Sequence, residues 1–360
     1  MTYDPRDLPL FTSVFHPTDF SESSEAAFAH ALAIALIGES HLTLLHAGTR
    51  DGAWHDFPAV RGTLTRWGLL EPGDSREAVR DKLAVAVKKV ITEEDDPMAA
   101  IVGYLDEHPT DLIVLATRGV KGVARWLSPS MAESLTRLAK LPTLLVPQRA
   151  PGFVSGEDGS VTLRRLLVPV DHTPDASPAV ILAERAGHVL GAAEATLLHV
   201  GEGAPPEVRL PDEPRCRWEA IQREGPVVET ILDTAREIKA DLIVMVTDGR
   251  DGFLDVLRGT HTDRVLRHTP APIMSLPEGW GSRPGEAAGV SIADLAQGAR
   301  ERKGRAATAM FRKVARAAHP DAGGVEDGEL LDRAIRARDR GDVGELKSLA
   351  DRADAGDERA

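Results

Sequence analysis

The sequence predicts an α/β protein built from two similar domains, each a parallel sheet with helices on both faces. Short aliphatic runs alternate with longer helical patterns, which is the order of right-handed βαβ units. Several segments occur twice in the same order, which indicates an internal repeat. Apolar residues make up 42% of the chain and aromatic residues only 4%, so the cores must be aliphatic, as in strands buried on both faces.

Matching pairs of segments define the repeat. Asp111-Leu-Ile-Val114 recurs as Asp241-Leu-Ile-Val244, and Leu42-Thr-Leu-Leu-His46 is matched by Ala195-Thr-Leu-Leu-His199. Two further pairs join Val14–Asp19 to Leu167–Asp171 and Thr143–Pro147 to Ile273–Pro277. We therefore predict one domain at residues 1–150, a second at 160–280, and a Gly-rich acidic linker at 151–159.

The first domain supplies the clearest strands and helices. The helix Glu22–Ile37 is rich in alanine and has Ser21 as its expected N-cap. Further helices are expected at Met98–Glu107 and Met131–Leu138. Strands are expected at Ser13–Phe15, Leu42–His46, part of Lys82–Thr92, Leu112–Ala116 and Thr143–Val146.

Charge and cysteine content limit the partners and the compartment. A formal net charge of −13 repels nucleic acids and anionic membranes, so neither is an expected partner. The single cysteine, Cys216, forms no internal disulfide and suits a reducing compartment. Neither a signal peptide nor an apolar run of about 20 residues is visible, so we expect a cytoplasmic protein.

The candidate ligand site lies where the strands end, because ligands of open parallel sheets bind beyond the carboxyl ends of the strands. Asp19 and Asp171 each end the first strand of a domain, where a carboxylate can accept hydrogen bonds from an amino group or a ribose. A helix N-cap or a turn is the plainer interpretation of both residues. After the fourth strand of the second domain, Gly259-Thr260 precedes the helix Asp263–His268, whose amino end favours a phosphate. An ordinary glycine-bearing loop is the alternative there.

Taken together, these segments resemble the ATP-binding branch of the universal stress protein family. That branch carries Gly, two residues, Gly, nine residues, Gly and then Ser or Thr, after a strand usually written Asp-Leu-Ile-Val. The second domain matches at Gly249, Gly259 and Thr260, with Val246 in place of the first glycine. The first domain has Ala116, Gly119, Pro129 in place of the last glycine, and Ser130. The resemblance covers residues 10–148 and 163–277.

The resemblance implies two Rossmann-like five-stranded parallel sheets of the adenine nucleotide alpha-hydrolase-like type. It also implies an intramolecular pseudo-dimer through the last strands, with a further homodimer left open. The implied ligand is ATP or a related adenine nucleotide, with Mg²⁺ as a candidate companion. The residues implied to bind it are Pro17, Thr18, Asp19, Ala116, Gly119, Gly122, Ser130 and Met131 in the first domain, and Pro169, Val170, Asp171, Val200, Val246, Gly249, Arg250, Gly252, Gly259, Thr260 and His261 in the second.

We expect the second domain to bind the nucleotide more tightly than the first. Pro129 has no N–H group, so a phosphate in the first domain loses one donor. Asp248 adds a negative charge in the second domain, where the family often has His, and Arg250, Arg258 and His261 offset it. A degenerate domain kept for its packing is the alternative for either copy.

The C-terminal region, residues 290–360, changes character and is predicted to be a small all-α hairpin after a flexible linker at 281–289. A basic helix there runs into His319-Pro320-Asp321 and two glycines, which resembles the second helix and loop of a J domain. That resemblance implies a heat-shock chaperone of the seventy-kilodalton class as a partner. A simple helix stop at Pro320 is the alternative. The residues implied to contact the chaperone are Arg312, Lys313, Arg316, His319, Pro320 and Asp321.

Catalytic motifs are otherwise missing from the sequence. It has no Gly-x-Ser-x-Gly elbow, no His-Glu-x-x-His pair and no phosphate loop ending in Gly-Lys-Ser or Gly-Lys-Thr. His46 and His199 end equivalent strands and are interpreted as packing or rim residues rather than metal ligands. We therefore expect a nucleotide-binding protein of stress response or signalling, at most a weak ATPase, with a chaperone-regulating adaptor as the alternative.

Overall fold

The computed structural model describes residues 10–48, 53–117, 135, 140–247, 269–281, 333–337, 345, 346, 348 and 349. The chain divides into two compact units, Met1–Ala288 and Gly289–Ala360. Within the described ranges, no helix combines the length and apolar character that crossing a membrane requires.

The first unit alternates strands and helices along the chain. Its first half contains β1 (Ser13–Pro17), α1 (Glu22–Ile37), β2 (His41–Ala47), α2 (Ala53–Asp56), α3 (Val60–Arg66), α4 (Ala78–Leu83), β3 (Ala86–Thr92), α5 (Pro97–Glu107), β4 (Leu112–Thr117) and β5 (Thr143–Pro147). Its second half contains β6 (Arg165–Val170), α6 (Ser177–Leu190), β7 (Glu194–Val200), β8 (Arg217–Arg223), α7 (Val227–Glu237), β9 (Leu242–Thr247) and β10 (Ile273–Pro277).

All ten strands belong to one continuous sheet with the order β3-β2-β1-β4-β5-β10-β9-β6-β7-β8. Strands are parallel within each half, and the two halves have the same internal order. The halves join where β5 and β10 run antiparallel, with Met274 opposite Leu144. The predicted α/β class and the pairing of the last strands are thus confirmed. The two predicted five-stranded sheets are joined into one continuous sheet.

The central strands consist mainly of aliphatic residues, as the composition predicts. Every residue of β4 and of β9 is buried, so both faces of these central strands are covered. The outer strand β8 is polar and half-exposed, with only Trp218 and Ile221 as large apolar residues. A strand was expected here only as one of the five strands of the second domain, without bounds.

One local expectation needs correction. The α1 helix begins at Glu22 as expected, but the Ser21 side chain makes no capping hydrogen bond. Its hydroxyl donates to Asp19 Oδ1 instead, at 2.5 Å. The strand expected in part of Lys82–Thr92 is confirmed as β3, and the helix α4 precedes it.

The linker after the first half is a packed segment. Phe153, Val154 and Leu163 are buried, and Val154 forms an antiparallel bridge with Val161. Phe153 N donates to Nε2 of the buried His30 on α1, at 3.1 Å, and the two rings meet edge to face. The linker therefore packs against α1 and contributes to the burial of its central residues, 27–35.

The second unit is described at few positions. Residues 333–337 are helical, as are 345, 346, 348 and 349. Ala334, Ala337, Leu346 and Leu349 are buried, and Arg333 lies 3.3 Å from Glu345. These residues agree with a helical C-terminal region, but the residues of its predicted J-like loop lie outside the described ranges.

Candidate functional site

Each half of the sheet has a switch point at which the strand order reverses. The chain runs from β1 outward to β2 and β3, then returns to place β4 on the other side of β1. The second half repeats this arrangement around β6 and β9. The carboxyl ends of β1 and β4, and of β6 and β9, therefore flank the two crevices where ligands of such sheets bind.

In the first half, hydrogen bonds fold the chain tightly after β1. Thr18 N donates to Leu45 O at 2.8 Å and continues the ladder with β2. Asp19 Oδ1 accepts from the backbone N of Ser21 at 3.0 Å, and Thr18 Oγ1 accepts from Phe20 N at 3.1 Å. Asp19 thus shapes the turn, as its plainer interpretation predicted, and its side chain stays half-exposed.

A buried polar network lies beneath this turn. Nδ1 of His16 is 2.8 Å from Val114 O on β4, and Nε2 is 3.1 Å from Ser24 Oγ on α1. Ser24 Oγ also lies 2.9 Å from Thr18 Oγ1, within hydrogen-bond distance. Because a carbonyl oxygen only accepts, Nδ1 carries the ring proton. Burial lowers the pKa of His16 to about 4, so the ring is neutral at neutral pH.

Aromatic rings cover the turn on its other side. The Phe20 ring stacks on His46, with centroids 4.0 Å apart, and meets the edge of Phe57 at 5.1 Å. Phe20 has a φ of 62°, in the left-handed region, which this packing holds in place. Nδ1 of His46 lies 2.9 Å from Thr18 O, so the ring is also fixed to the strand end.

One buried hydroxyl at the first switch point has no hydrogen-bond partner within the part of the chain that the structure describes. Thr117, the last residue of β4, is 1% exposed, and its Oγ1 has no hydrogen-bond partner among the described residues. Its counterpart in the second half, Thr247, lies 3.3 Å from Leu276 O. An unpaired buried hydroxyl is costly, so a ligand that bonds to Thr117 would be favoured.

The second half ends its strands with different side chains. Counting from the strand-end proline, Val168, Val170 and Ala176 replace the polar residues of the network. Above the turn, His172 stands in place of Phe20 and is exposed, as is Asp171. His199 is buried, with Nδ1 3.3 Å from Val170 O. One ligating atom each of Asp171, His172 and His199 lies within 4.8 Å of the other two.

A basic groove borders the outer strand of the first half. It has a volume of about 630 Å³ and lies against β3 and the helices α3 and α4. The pKa of Lys89 is lowered by burial and by repulsion from Arg76 and Arg61, which indicates that the cations converge. Trp54, 58% exposed, lies at its rim. The groove lies outside the sites predicted from the sequence.

The structure places part of the predicted nucleotide site. Pro17, Thr18, Asp19 and Ala116 lie together at the carboxyl ends of β1 and β4. Pro169, Val170, Asp171, Val200 and Val246 lie at the corresponding strand ends of the second half. Ten further predicted residues lie outside the described ranges: Gly119, Gly122, Ser130, Met131, Gly249, Arg250, Gly252, Gly259, Thr260 and His261. The same is true of Arg312, Lys313, Arg316, His319, Pro320 and Asp321.

Sequence reasoning missed three contributors to these strand ends. His16 and Ser24 form the buried network, and His172 joins Asp171 and His199. The signal for His172 was present, since it replaces Phe20 at the matching position of the repeat. Its approach to His199 depends on β6 and β7 being neighbours in register, with Val170 opposite His199.

A doubly wound parallel sheet with a switch point in each half defines an open-sheet α/β protein. Within that class, the model of the universal stress protein family matches residues 11–147 and 209–277. The match covers more than half of the chain, and the protein belongs to this family. It ends at residue 277, and the comparisons give no support to the J-like resemblance farther along the chain.

Similar proteins carry the same family name. Universal stress protein Rv2005c of Mycobacterium tuberculosis is 24% identical over 285 residues, which cover 71% of this chain and 94% of that protein. Universal stress protein MJ0531 of Methanocaldococcus jannaschii is 29% identical over 142 residues, covering 38% of this chain and 82% of that protein.

Solved structures include members of the same family. A universal stress protein from Archaeoglobus fulgidus aligns with a TM-score of 0.47 at 17% identity, covering 74% of this chain and 96% of that one. A universal stress protein solved in complex with cAMP aligns with a TM-score of 0.21 at 20% identity, covering 29% and 70%.

Proposed function

We propose that the protein binds an adenine nucleotide at its switch points and acts in stress response or signalling rather than as a conventional enzyme. We propose that each half, residues 1–150 and 160–280, is a complete family domain with one such site. The cytoplasm is the proposed location, because a chain with one cysteine suits a reducing compartment.

The observation that carries the proposal is the repeated strand-end arrangement. Asp19 and Asp171 occupy matching positions beyond β1 and β6, beside the strands β4 and β9 across each switch point. In the sequence, β4 and β9 lead directly into the segments that contain Ser130 and Gly259-Thr260. The base and ribose would therefore lie at the strand-end carboxylate, and the phosphates would face the amino end of the following helix.

The buried Thr117 hydroxyl supports a ligand in the first half. It lies at the carboxyl end of β4, next to the switch point, and has no partner among the described residues. A nucleotide oxygen or nitrogen that forms a hydrogen bond with this hydroxyl would replace the hydrogen bond to water that burial removes. The sequence instead favours the second half as the tighter nucleotide site. Gly259-Thr260 keeps the hydrogen-bond donors to phosphate, one of which Pro129 removes from the first half.

Isothermal titration of the full chain with ATP tests the proposal. ATP and cAMP are the first probes, since cAMP is the ligand named for one family structure. Asp171→Asn should weaken ATP binding in the second half by about tenfold or more, because a hydrogen bond to a charged group is worth about 1.5–3 kcal/mol. Asp19→Asn should do the same in the first half. If neither ATP nor cAMP binds, the nucleotide proposal is wrong.

Two further variants decide which half binds more tightly. Gly259→Asp places a carboxylate at the expected phosphates of the second half, and Ser130→Asp does so in the first. We expect Gly259→Asp to cause the larger loss of ATP affinity. A loss confined to Ser130→Asp would assign the better site to the first half.

The basic groove is the competing location for the phosphates. Arg61, Arg76 and Lys89 line it together with Arg80, so it attracts anions in a chain that is acidic overall. The double variant Arg61→Ala/Arg76→Ala should leave ATP affinity within about twofold if the switch points hold the nucleotide. Affinity lost in this variant but retained in both Asp→Asn variants would place the nucleotide in the groove.

Hydrolysis distinguishes a binding protein from an enzyme. At the first switch point, the Asp19 carboxylate accepts hydrogen bonds from Ser21 and shapes the turn, which is a structural role rather than that of a general base. We expect ATP turnover far below about 1 per second, the lower end of the ordinary enzyme range. Turnover within that range, measured by phosphate release, would contradict the binding-protein proposal.

A further inference from the structure

We propose that the carboxyl ends of β6 and β7 form a binding site for a divalent transition-metal ion such as Zn²⁺, with Asp171, His172 and His199 as its protein ligands. The proposal goes beyond nucleotide binding and does not depend on it. It rests on the geometry of three side chains that two neighbouring strands bring together.

The strands fix where the three ligands meet. Val170, the last residue of β6, lies opposite His199 in the parallel register with β7. Asp171 and His172 follow Val170 directly, so they turn over the ring of His199. The two imidazole rings lie 5.8 Å apart between centroids and nearly perpendicular, at 76°. One ligating atom of each residue lies within 4.8 Å of the others.

His199 is held in the orientation that a metal ligand requires. Its Nδ1 lies 3.3 Å from the carbonyl oxygen of Val170, so the proton resides there and Nε2 keeps its lone pair. A backbone carbonyl on the second ring nitrogen is the usual way in which metal-binding histidines are oriented. Gly201 lies beside Nε2, where a Cβ would come within 3.3 Å of that atom. A side chain at position 201 would therefore crowd the metal-binding nitrogen, and the glycine avoids this.

The donor set suits zinc and similar ions. Imidazole nitrogen and carboxylate oxygen bind Zn²⁺ at about 2.0–2.2 Å, which sets tetrahedral ligands about 3.4 Å apart. Asp171 and His172 are exposed, so small side-chain rotations can close the present separations without disturbing the core. Three protein ligands leave a fourth position for water or another small ligand, as in open zinc sites.

The first half of the same sheet lacks this donor set. Its matching residues are Asp19, Phe20 and His46, and the Phe20 ring stacks on the imidazole at 4.0 Å. Phenylalanine supplies no ligand and covers the histidine face. Asp19 Oδ1 also already accepts two hydrogen bonds from Ser21. The chain should therefore bind one such ion in its sheet, in the second half.

Calorimetry on the full chain, treated with chelator and free of nucleotide, tests the site with Zn²⁺ alone. We expect one Zn²⁺ per chain with the native protein and a loss of affinity of at least tenfold in His172→Phe, which copies the first half. His172 is exposed, so the variant should fold normally, and circular dichroism verifies this. His41→Phe, which removes an exposed histidine at the start of β2, is the matched control and should bind like the native protein.

Two results would overturn the proposal. One is the absence of Zn²⁺ binding by the native chain, and the other is equal Zn²⁺ affinity in the native chain and His172→Phe. The nucleotide proposal is tested separately. His172 has no assigned part in nucleotide binding, so ATP titration of His172→Phe reports on the nucleotide site and not on the metal site. Either proposal can therefore fail while the other stands.

Discussion

The two switch points share a backbone but arrange their polar groups in opposite ways. In the first half, His16, Ser24 and Thr18 form a hydrogen-bonded network beneath the strand end, and aromatic rings cover it. In the second half, aliphatic residues lie beneath the strand end, and the polar side chains of Asp171 and His172 are exposed above it. One topology thus carries two different sets of strand-end side chains, and we expect the two sites to differ in what they bind.

The largest expected effect comes from copying the second half's interior into the first. His16→Val leaves the Val114 carbonyl without its side-chain partner and should lower the free energy of unfolding by about 2–3 kcal/mol. The triple change His16→Val/Ser24→Ala/Thr18→Val removes both ends of two hydrogen bonds, so it should cost less than the sum of the three single changes. Urea unfolding of the four variants measures both quantities. Strict additivity would show that the residues do not act as a network.

The next largest effect concerns the linker, which packs on the first half. A Cβ on Gly152 would lie 2.2 Å from Cε1 of His30, a ring that is almost fully buried. Gly152→Ala should therefore lower the free energy of unfolding by about 1–3 kcal/mol through overpacking. Gly156→Ala is the matched control, since no atom lies within 4 Å of its added Cβ. Equal urea midpoints for the two variants would contradict the packed linker.

The pH dependence of stability should also separate the halves. Burial lowers the pKa of His16 and of His30 to about 4, against about 6.5 in an unfolded chain. Between these values the unfolded chain binds protons that the folded chain does not, so stability falls as pH falls below about 6.5. From pH 7.5 to 5.5 each histidine should remove about 1 kcal/mol. His16→Val should flatten this dependence, and an unchanged slope would show that His16 does not cause it.

The smallest expected effect is the transfer of the metal site into the first half. Phe20→His gives that half the residue types found at Asp171, His172 and His199. Because the Asp19 carboxylate is already engaged by Ser21, we expect a second Zn²⁺ site with at least tenfold weaker affinity than the first. Calorimetric stoichiometry measures it, with native protein as the control. A second site as tight as the first would show that the turn hydrogen bonds do not restrain Asp19.

The sequence predicted those parts of the fold that depend on buried aliphatic runs. β4 and β9 were recognised because both faces of each strand are covered. The outer strand β8 was expected only as one of five strands, without bounds, because a half-exposed strand has few apolar residues to mark it. The packed linker was missed, since its burial depends on Phe153 meeting a histidine 123 positions away.

The residues of the candidate site were likewise predictable only where the local sequence identifies them. Asp19 and Asp171 were predicted as strand-end residues because position alone identifies them. The grouping of Asp171, His172 and His199 depends on which strands are neighbours and in what register, and a single sequence does not state either. The network around His16 likewise joins three elements, β1, β4 and α1, through contacts that no local pattern encodes.

The antiparallel junction of β5 and β10 joins two non-identical halves that belong to one polypeptide. Where two separate chains form such a junction, dilution separates them, and every substitution appears in both partners. Here the pairing is intramolecular, so it persists at any protein concentration. A change at residue 20 leaves residue 172 untouched, and each half can acquire its own ligand while the other keeps its role. Covalent linkage therefore permits a division of labour that a symmetric dimer of identical chains does not.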